Sequence, residues 1–159
     1  MRPFKSVRDS ETEITRLLQY QDINGENRLF GGKLMAWIDE AATITAMRHC
    51  GGNVTTCSVD SLVFKEAALL NDILVLKARV TYVGNTSLEV RVDTFVERRE
   101  DGTRRLINHA YLTIVSIDAE GKPRAIPFDI QPENETEILE YEGAKKRISI
   151  RKERRSEGF

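Results

Sequence analysis

Much of what commonly equips a chain for chemistry is missing here. The chain carries two histidines in 159 residues, so a Ser–His–Asp triad has few places to form. No Gly-x-Ser-x-Gly elbow, phosphate loop or dinucleotide fingerprint occurs. His49 and His109 each read as structural, since a lone imidazole is readily satisfied by ordinary hydrogen bonds. The two cysteines, Cys50 and Cys57, lack the paired spacing of a metal knuckle or a disulfide framework. They read as small hydrophobes in a reducing compartment, so a cytoplasmic protein without a bound metal is expected. Neither sign of charge dominates: 24 basic against 25 acidic residues leave a net charge of -1, where a general nucleic-acid binder would carry a basic excess. No apolar run approaches the ~20 residues needed to cross a bilayer, and Met1 to Glu13 has no stretch resembling a signal peptide. Neither a nucleic-acid nor a membrane partner is expected.

What is present is an ordinary globular composition, 40% hydrophobic and 31% charged, long enough for one domain with a real core. Residues 1–12 read as a loose polar arm. Glu13–Gln19 reads as a first strand, and Asp22-Ile-Asn-Gly-Glu-Asn27 as a turn-forming cluster. A helix follows from Lys33 to about Cys50, ended by Gly51-Gly52-Asn53. From Leu34 to Met47 its only charged residues are Asp39 and Glu40, and a helix that is apolar nearly all round is a buried helix. Then the period switches to two. Strands are expected over Thr55–Phe64, Asp72–Val83, Ser87–Glu97 and Leu106–Ile117, with Asp101-Gly102 as a hairpin turn. On the second of these, Leu74, Leu76, Ala78, Val80 and Tyr82 point one way. On the third, Glu89, Arg91, Asp93 and Glu97 oppose an apolar face. The fourth, mostly apolar, suits a position covered on both sides. The expected architecture is α+β, an antiparallel sheet wrapped around one long helix, over residues 13–127. Such a sheet pairs edge to edge with a second copy, which removes an exposed edge. Residues 128–159 turn into a charged tail, partly helical from Glu133, with Arg151–Arg155 read as a solvated end.

Asp39 stands out, because an ionised carboxylate in an apolar helix costs several kcal/mol unless it is paired. Glu40, about 100° further round the helix, is its natural control. Asp39 is preferred because it lies toward Ala42, Ala46 and Cys50, where small side chains leave room for a ligand. At the helix start Phe30-Gly31-Gly32 offers free N–H groups that a substrate carbonyl can approach closely, and such donors stabilise an oxyanion. A carboxylate two turns into a helix whose N-terminus binds a carbonyl suits acyl-group hydrolysis.

The segment Asn24-Gly-Glu-Asn-Arg-Leu-Phe30-Gly-Gly-Lys-Leu-Met-Ala-Trp-Ile-Asp39-Glu40-Ala-Ala, then Arg48-His-Cys50 and Val54-Thr-Thr-Cys-Ser-Val-Asp60, closely resembles the hotdog-fold acyl-CoA thioesterases of the cytosolic, brain-type and short-chain bacterial family. Gly84-Asn-Thr-Ser-Leu-Glu89 and Tyr111-Leu-Thr-Ile-Val-Ser-Ile-Asp118 extend the match, in register over residues 13–127. The resemblance implies a hotdog fold, active sites at a homodimer interface, frequent homohexamers, and a catalytic pair of Asp39 and Asn24 from opposite subunits. Asn27 is the local rival to Asn24, which has the family's spacing. Phe30 replaces a His found in some relatives, which argues against the related hydratases. The implied reaction is hydrolysis of an acyl-CoA thioester, with Asp39 as general base or as nucleophile and the N–H groups of Gly31 and Gly32 as oxyanion donors. No cofactor is implied beyond the CoA of the substrate. For its phosphates the turn Gly84-Asn85-Thr86-Ser87 offers hydroxyls and backbone donors, and Lys65, Arg79 or Arg124 offer charge. The alternative on the same fold is a non-catalytic acyl-CoA-binding module.

Overall fold

The computed structural model describes residues 1–159. Its chain order is β1 (Phe4–Ser6), β2 (Thr12–Leu17), α1 (Gly31–Cys50), β3 (Val54–Phe64), β4 (Ile73–Val83), β5 (Ser87–Glu97), β6 (Arg104–Ser116), β7 (Asp129–Gln131) and α2 (Glu135–Glu157). Strands β2 to β6 form an antiparallel sheet in the order β2-β4-β5-β6-β3, which curls around α1. The α+β reading holds, and so do the helix and the four long strands to within a few residues.

Helix α1 buries one stripe into the sheet: Leu34, Trp37, Ile38, Ala41, Ala42, Thr45, Ala46, His49 and Cys50. Their spacing of three and four is the helical period. All but Thr45 and His49 meet Leu74, Leu76, Ala78 and Val80 of β4, Val90 and Val92 of β5, and Ala110, Leu112 and Ile114 of β6 in one core cluster. Gly51 ends the helix in the left-handed region, at φ 64, and its N–H donates to Met47 O at 2.8 Å. This cap suits glycine because a Cβ would be strained there.

Two expectations need correction. The first 12 residues are not loose. β1 pairs in parallel with β7, Val7 joins the core cluster, Arg2 donates to Gly84 O at 2.7 Å, and Lys5 reaches Arg48 O and His49 O at the carbonyl end of α1. Three-residue strands are too short to show a period, so composition alone suggested a loose arm. The C-terminal segment likewise contributes β7 and a packed helix, with Ile130 and Ala144 buried. Second, the strict alternation of β4 breaks at a register shift between Val80 and Tyr82. Thr81 and Val83 are buried, while Tyr82 turns outward onto Tyr141 of α2, with ring centroids 5.2 Å apart. An added residue in one strand flips those that follow.

The polar face of the sheet is largely covered. Helix α2 lies across it, and Glu89 is only 2% exposed. The Arg147 guanidinium grips both Glu89 carboxylate oxygens, at 2.7 and 3.1 Å, and Thr81 Oγ1 adds a hydrogen bond at 2.6 Å. Alongside, Arg79 and Arg91 both pair with Asp93 at 2.9 Å, and Arg91 also pairs with Glu140 of α2. Burial works against the Arg91 charge, but the carboxylates outweigh it and hold the group above its usual range. These ion pairs seat α2, since each buried charge has its partner.

His49 yields a test. It is fully buried, with Nε2 3.1 Å from Phe128 O and Nδ1 without a partner. Burial, reinforced by Lys5 and Arg2, lowers its pKa; the hydrogen bond to Phe128 and the charge of Asp129 oppose this. The native ring therefore takes up its proton at a lower pH than the unfolded one, which protonates near ~6.5. The unfolded state then binds more protons, so stability is lost as pH falls below that value, by at most about 1.4 kcal/mol per pH unit. Urea titrations from pH 7 to pH 5.5 should show this slope, and His49→Gln should reduce it to the part due to His109, whose pKa burial also lowers.

Candidate active site

The loop between β2 and α1 is braced by Asp22, a buried carboxylate. It accepts the Gln19 N–H at 3.0 Å, faces Lys33 Nζ at 3.6 Å, and its carbonyl takes the Phe30 N–H at 2.8 Å. Within this brace, Asn24 Oδ1 accepts the N–H groups of Glu26 and Arg28 at 2.9 and 3.2 Å. The oxygen of Asn24 is thus used inside the loop, and its amide nitrogen is left to donate outward. Asn27 instead takes a left-handed backbone at φ 58 and serves the turn itself.

Helix α1 begins at Gly31 with no capping side chain, which leaves the first-turn N–H groups to other acceptors. Gly31 and Asn24 border a cavity of about 360 Å³, together with Leu34, Phe64, Lys65 and Ile107. A Cβ on Gly32 would come within 2.7 Å of the Phe30 ring, so a side chain here would displace the Phe30 ring that folds back over the helix start. Approach to Gly31 is freer, the nearest atom being 3.7 Å away on the Phe64 ring.

Asp39 lies two turns further along α1 and does not line this cavity. It is exposed in the single chain, and the Thr56 hydroxyl of β3 donates to its Oδ1 at 2.5 Å. Glu40 turns the other way, into an ion pair with Arg16 at 2.8 Å. The two neighbours are therefore sorted as the helical rotation requires. The room around Asp39 has a different origin from the one expected. Ala42, Ala46 and Cys50 are in the core at 0–1% exposure. Asp39 is open because Gly32, Met35 and Ala36 on the first half of the helix are bare.

The residues proposed for CoA do not converge in one chain. Thr86 and Ser87 border a second cavity of about 400 Å³ on the outer face of the sheet. Asn85 is exposed beside it, with its carbonyl taken by Ile126 N–H. Lys65 stands at the helix-start cavity, Arg124 donates to Cys50 O at 3.2 Å, and Arg79 is engaged with Asp93. Three cations that sequence reasoning assigned to a solvated tail, Arg151, Lys152 and Arg155, line the second cavity instead. A signal existed: with Ile148 they fall at helical spacing on one stripe. Thr56 and Asp22 were also missed, because a Thr in a strand and an Asp in a turn are commonplace. No group of three or more metal-ligating side chains converges, and no helix is long and apolar enough to cross a membrane.

A curved sheet around a single helix, with a carboxylate on the helix's bare side and open N–H groups at its start, is the arrangement of a hotdog-fold enzyme. The model of the Thioesterase superfamily matches residues 26–103. An acyl-CoA thioester hydrolase of Bacillus subtilis is 41% identical over 134 residues, covering 84% of this chain and 77% of the relative. The structure of an acyl-CoA hydrolase from Staphylococcus aureus, solved with butyryl-CoA, CoA and CoA disulfide, superposes with a TM-score of 0.92 at 41% identity, over 98% of this chain and 94% of that one. A hexameric acyl-CoA thioesterase superposes at 0.91, with 40% identity over 96% and 97% of the two chains. The chain belongs to the thioesterase superfamily, among its hotdog-fold acyl-CoA thioester hydrolases. Solved variants of the Staphylococcus aureus enzyme replace an Asn, an Asp and a Thr by Ala at positions 15 and 17 residues apart.

The brace predicts that Asp22→Ala, which strands the Gln19 N–H, costs about 1–3 kcal/mol in urea unfolding. It also loosens the Asn24 loop, to be read as faster amide exchange at Glu26 and Arg28.

Proposed function

We propose that this protein hydrolyses acyl-CoA to a free carboxylic acid and CoA, with Asp39 as the central group. The observation that carries the reading is Asp39 itself: an open carboxylate on the bare side of α1, oriented by one hydroxyl, that of Thr56. Asn24, Asp39 and Thr56 stand 15 and 17 residues apart, the separations of the three residues replaced in the Staphylococcus aureus variants.

In this mechanism Thr56 holds Oδ1 and leaves Oδ2 of Asp39 facing the substrate. Asp39 takes a proton from water as general base, or attacks the thioester carbonyl directly. The N–H groups of Gly31 and Gly32 receive the oxyanion, and the amide of Asn24 orients water or the carbonyl. A thiolate leaves readily, so no strong general acid is needed. Lys65 beside Gly31, Arg124, and the turn carrying Asn85, Thr86 and Ser87 contact the CoA portion. No cofactor takes part beyond that CoA.

Asp39 does not line the cavity that Asn24 borders, which supports a site completed by a second copy. The open side of α1 and the unpaired edge of β3 carry Met35, Met47, Val59, Val63 and Phe64, each 43–51% exposed. An exposed strand edge bearing apolar side chains favours pairing with its like. The minimal active unit is a homodimer, and three dimers form a hexamer. The free thiols Cys50 and Cys57 suit a reducing cytoplasm.

The test is release of free CoA thiol from a panel of short to long acyl-CoAs. Wild type should turn over, and Asp39→Asn should fall at least about 100-fold, equivalent to ~2.7 kcal/mol of barrier. Thr56→Val, which keeps the shape and loses the donor, should fall about tenfold. An active Asp39→Asn variant would contradict the assignment, and binding without turnover by wild type would favour the non-catalytic module.

A further inference from the structure

Strand β3 carries Thr56 to Asp39, and it does so out of regular alternation. Along its pairing with β6, Thr56 stands opposite Ile114 and Ser58 opposite Thr113, which leaves Cys57 unpaired. Val59 then stands opposite Leu112 and Ser61 opposite Tyr111, which leaves Asp60 unpaired. Each gap is a β-bulge, an added residue that flips those after it. Two bulges so close together change the period of the strand. Thr56, Val59 and Leu62 pair with Ile114, Leu112 and Ala110, all core residues under α1, so these three share the helix side of the sheet. Asp60 turns the other way, toward α2.

The direction of Thr56 depends on both bulges. Leu62 packs against the core, which anchors the far end of the strand, and Thr56 donates to Asp39 Oδ1. With one bulge lost, the register between them slips by one residue. Thr56 then faces the side opposite to Leu62, away from the carboxylate it orients. Because β3 is an edge strand, paired within the chain to β6 alone, no second neighbour in the chain resists such a slip.

Asp60, the added residue of the second bulge, is held from outside the strand. Arg151 of α2 pairs with its Oδ2, and Thr113 Oγ1 donates to the same oxygen at 3.4 Å. The Asp60 and Arg151 side chains are only 14% and 20% exposed, and a charge so covered is costly without its partner. A slip that removes the bulge would pull Asp60 from this pair and turn it toward the core. The other ion pairs of α2 have a different reach. Glu140 and Arg147 tie the helix to Arg79 of β4 and to Arg91 and Glu89 of β5, where they seat it. Arg151 alone carries an ion pair from α2 to β3.

We propose that Arg151 and Asp60 are positioning residues for the reaction at Asp39: their ion pair fixes the second bulge of β3, and the bulge aims Thr56. Neither residue touches the substrate. The inference rests on the reading of Asp39 as the central group and of Thr56 as its orienter.

The test is steady-state hydrolysis of butyryl-CoA by the full chain in its native assembly. Arg151→Met should lower kcat about three- to tenfold, the range for members of one hydrogen-bond network, and leave KM unchanged. Asp60→Asn should do the same. Arg151→Lys should recover part of the loss, since the contact uses one guanidinium nitrogen and a lysine keeps the charge. In a Thr56→Val chain, Arg151→Met should cost nothing further, because the group it aims is already gone. Amide exchange in Arg151→Met should quicken from Cys57 to Ser61 and stay as in wild type on β5, where the other ion pairs remain. That pattern separates a slipped strand from an unseated helix. The proposal is overturned if Arg151→Met keeps the kcat of wild type, or if KM rises while kcat holds, which would put the guanidinium on the substrate. It is also overturned if exchange quickens equally on β5, or if the loss is undiminished in the Thr56→Val chain. A wild type that hydrolyses no acyl-CoA sinks the hydrolase reading and this one with it. An active wild type beside an equally active Arg151→Met sinks this one alone.

Discussion

A helix as apolar as α1 cannot be dressed by five strands alone, and much else in the molecule follows from that. The sheet covers the stripe from Leu34 to Cys50 and no more. On the opposite side Met35, Ala36 and Met47 stay bare, next to an edge strand with its own exposed Val59, Val63 and Phe64. Asp39 sits within this uncovered surface. A carboxylate there is tolerable in water, and becomes expensive once another apolar surface closes over it, unless a donor such as Thr56 accompanies it. The same closure would give Asp39 its chemical force, because charge interacts more strongly where water is excluded. Exposure in one chain and reactivity in an assembly are thus two sides of one arrangement.

The other face of the sheet solves a different problem. Its polar residues are taken out of water by α2, and each is met by a partner. Glu89 has Arg147 and Thr81, Asp93 has Arg79 and Arg91, and Glu140 closes the set from the helix side. Pairing spares each of these buried charges the cost of standing alone. They orient α2 so that its following turns carry Arg151, Lys152 and Arg155 beyond the last seat on the sheet and over the Thr86–Ser87 turn. The position of the outer cavity is therefore tied to the clamp before it.

The elements legible in the sequence were those with enough residues to show a period. α1 and the four long strands announced themselves, because 20 helical and 11–13 strand residues repeat their pattern several times. β1 and β7, three residues each, had no pattern to show. Tyr82 was placed on the wrong face because a bulge leaves no mark in composition. The cover over Glu89 and Asp93 was not legible, because it comes from a helix about 50 residues later in the chain, and long-range contacts do not write themselves into local periodicity. Asp39 was legible through energetics, as a charge that an apolar helix should not carry. Thr56 was not, since only the fold brings it within 2.5 Å of that carboxylate.

The central claim is that one reactive site is assembled from Asp39 of one copy and Asn24 of another. The most direct measurement mixes two variants, Asp39→Asn and Asn24→Ala, each purified, co-unfolded and refolded together, and follows CoA thiol release. Each variant alone has every site damaged. In randomly paired dimers about one site in four would combine an intact Asp39 with an intact Asn24, so the mixture should recover up to about a quarter of wild-type activity. A mixture no more active than the mean of its two components, under conditions where wild type refolds to full activity, would contradict the account and place the whole site within one chain.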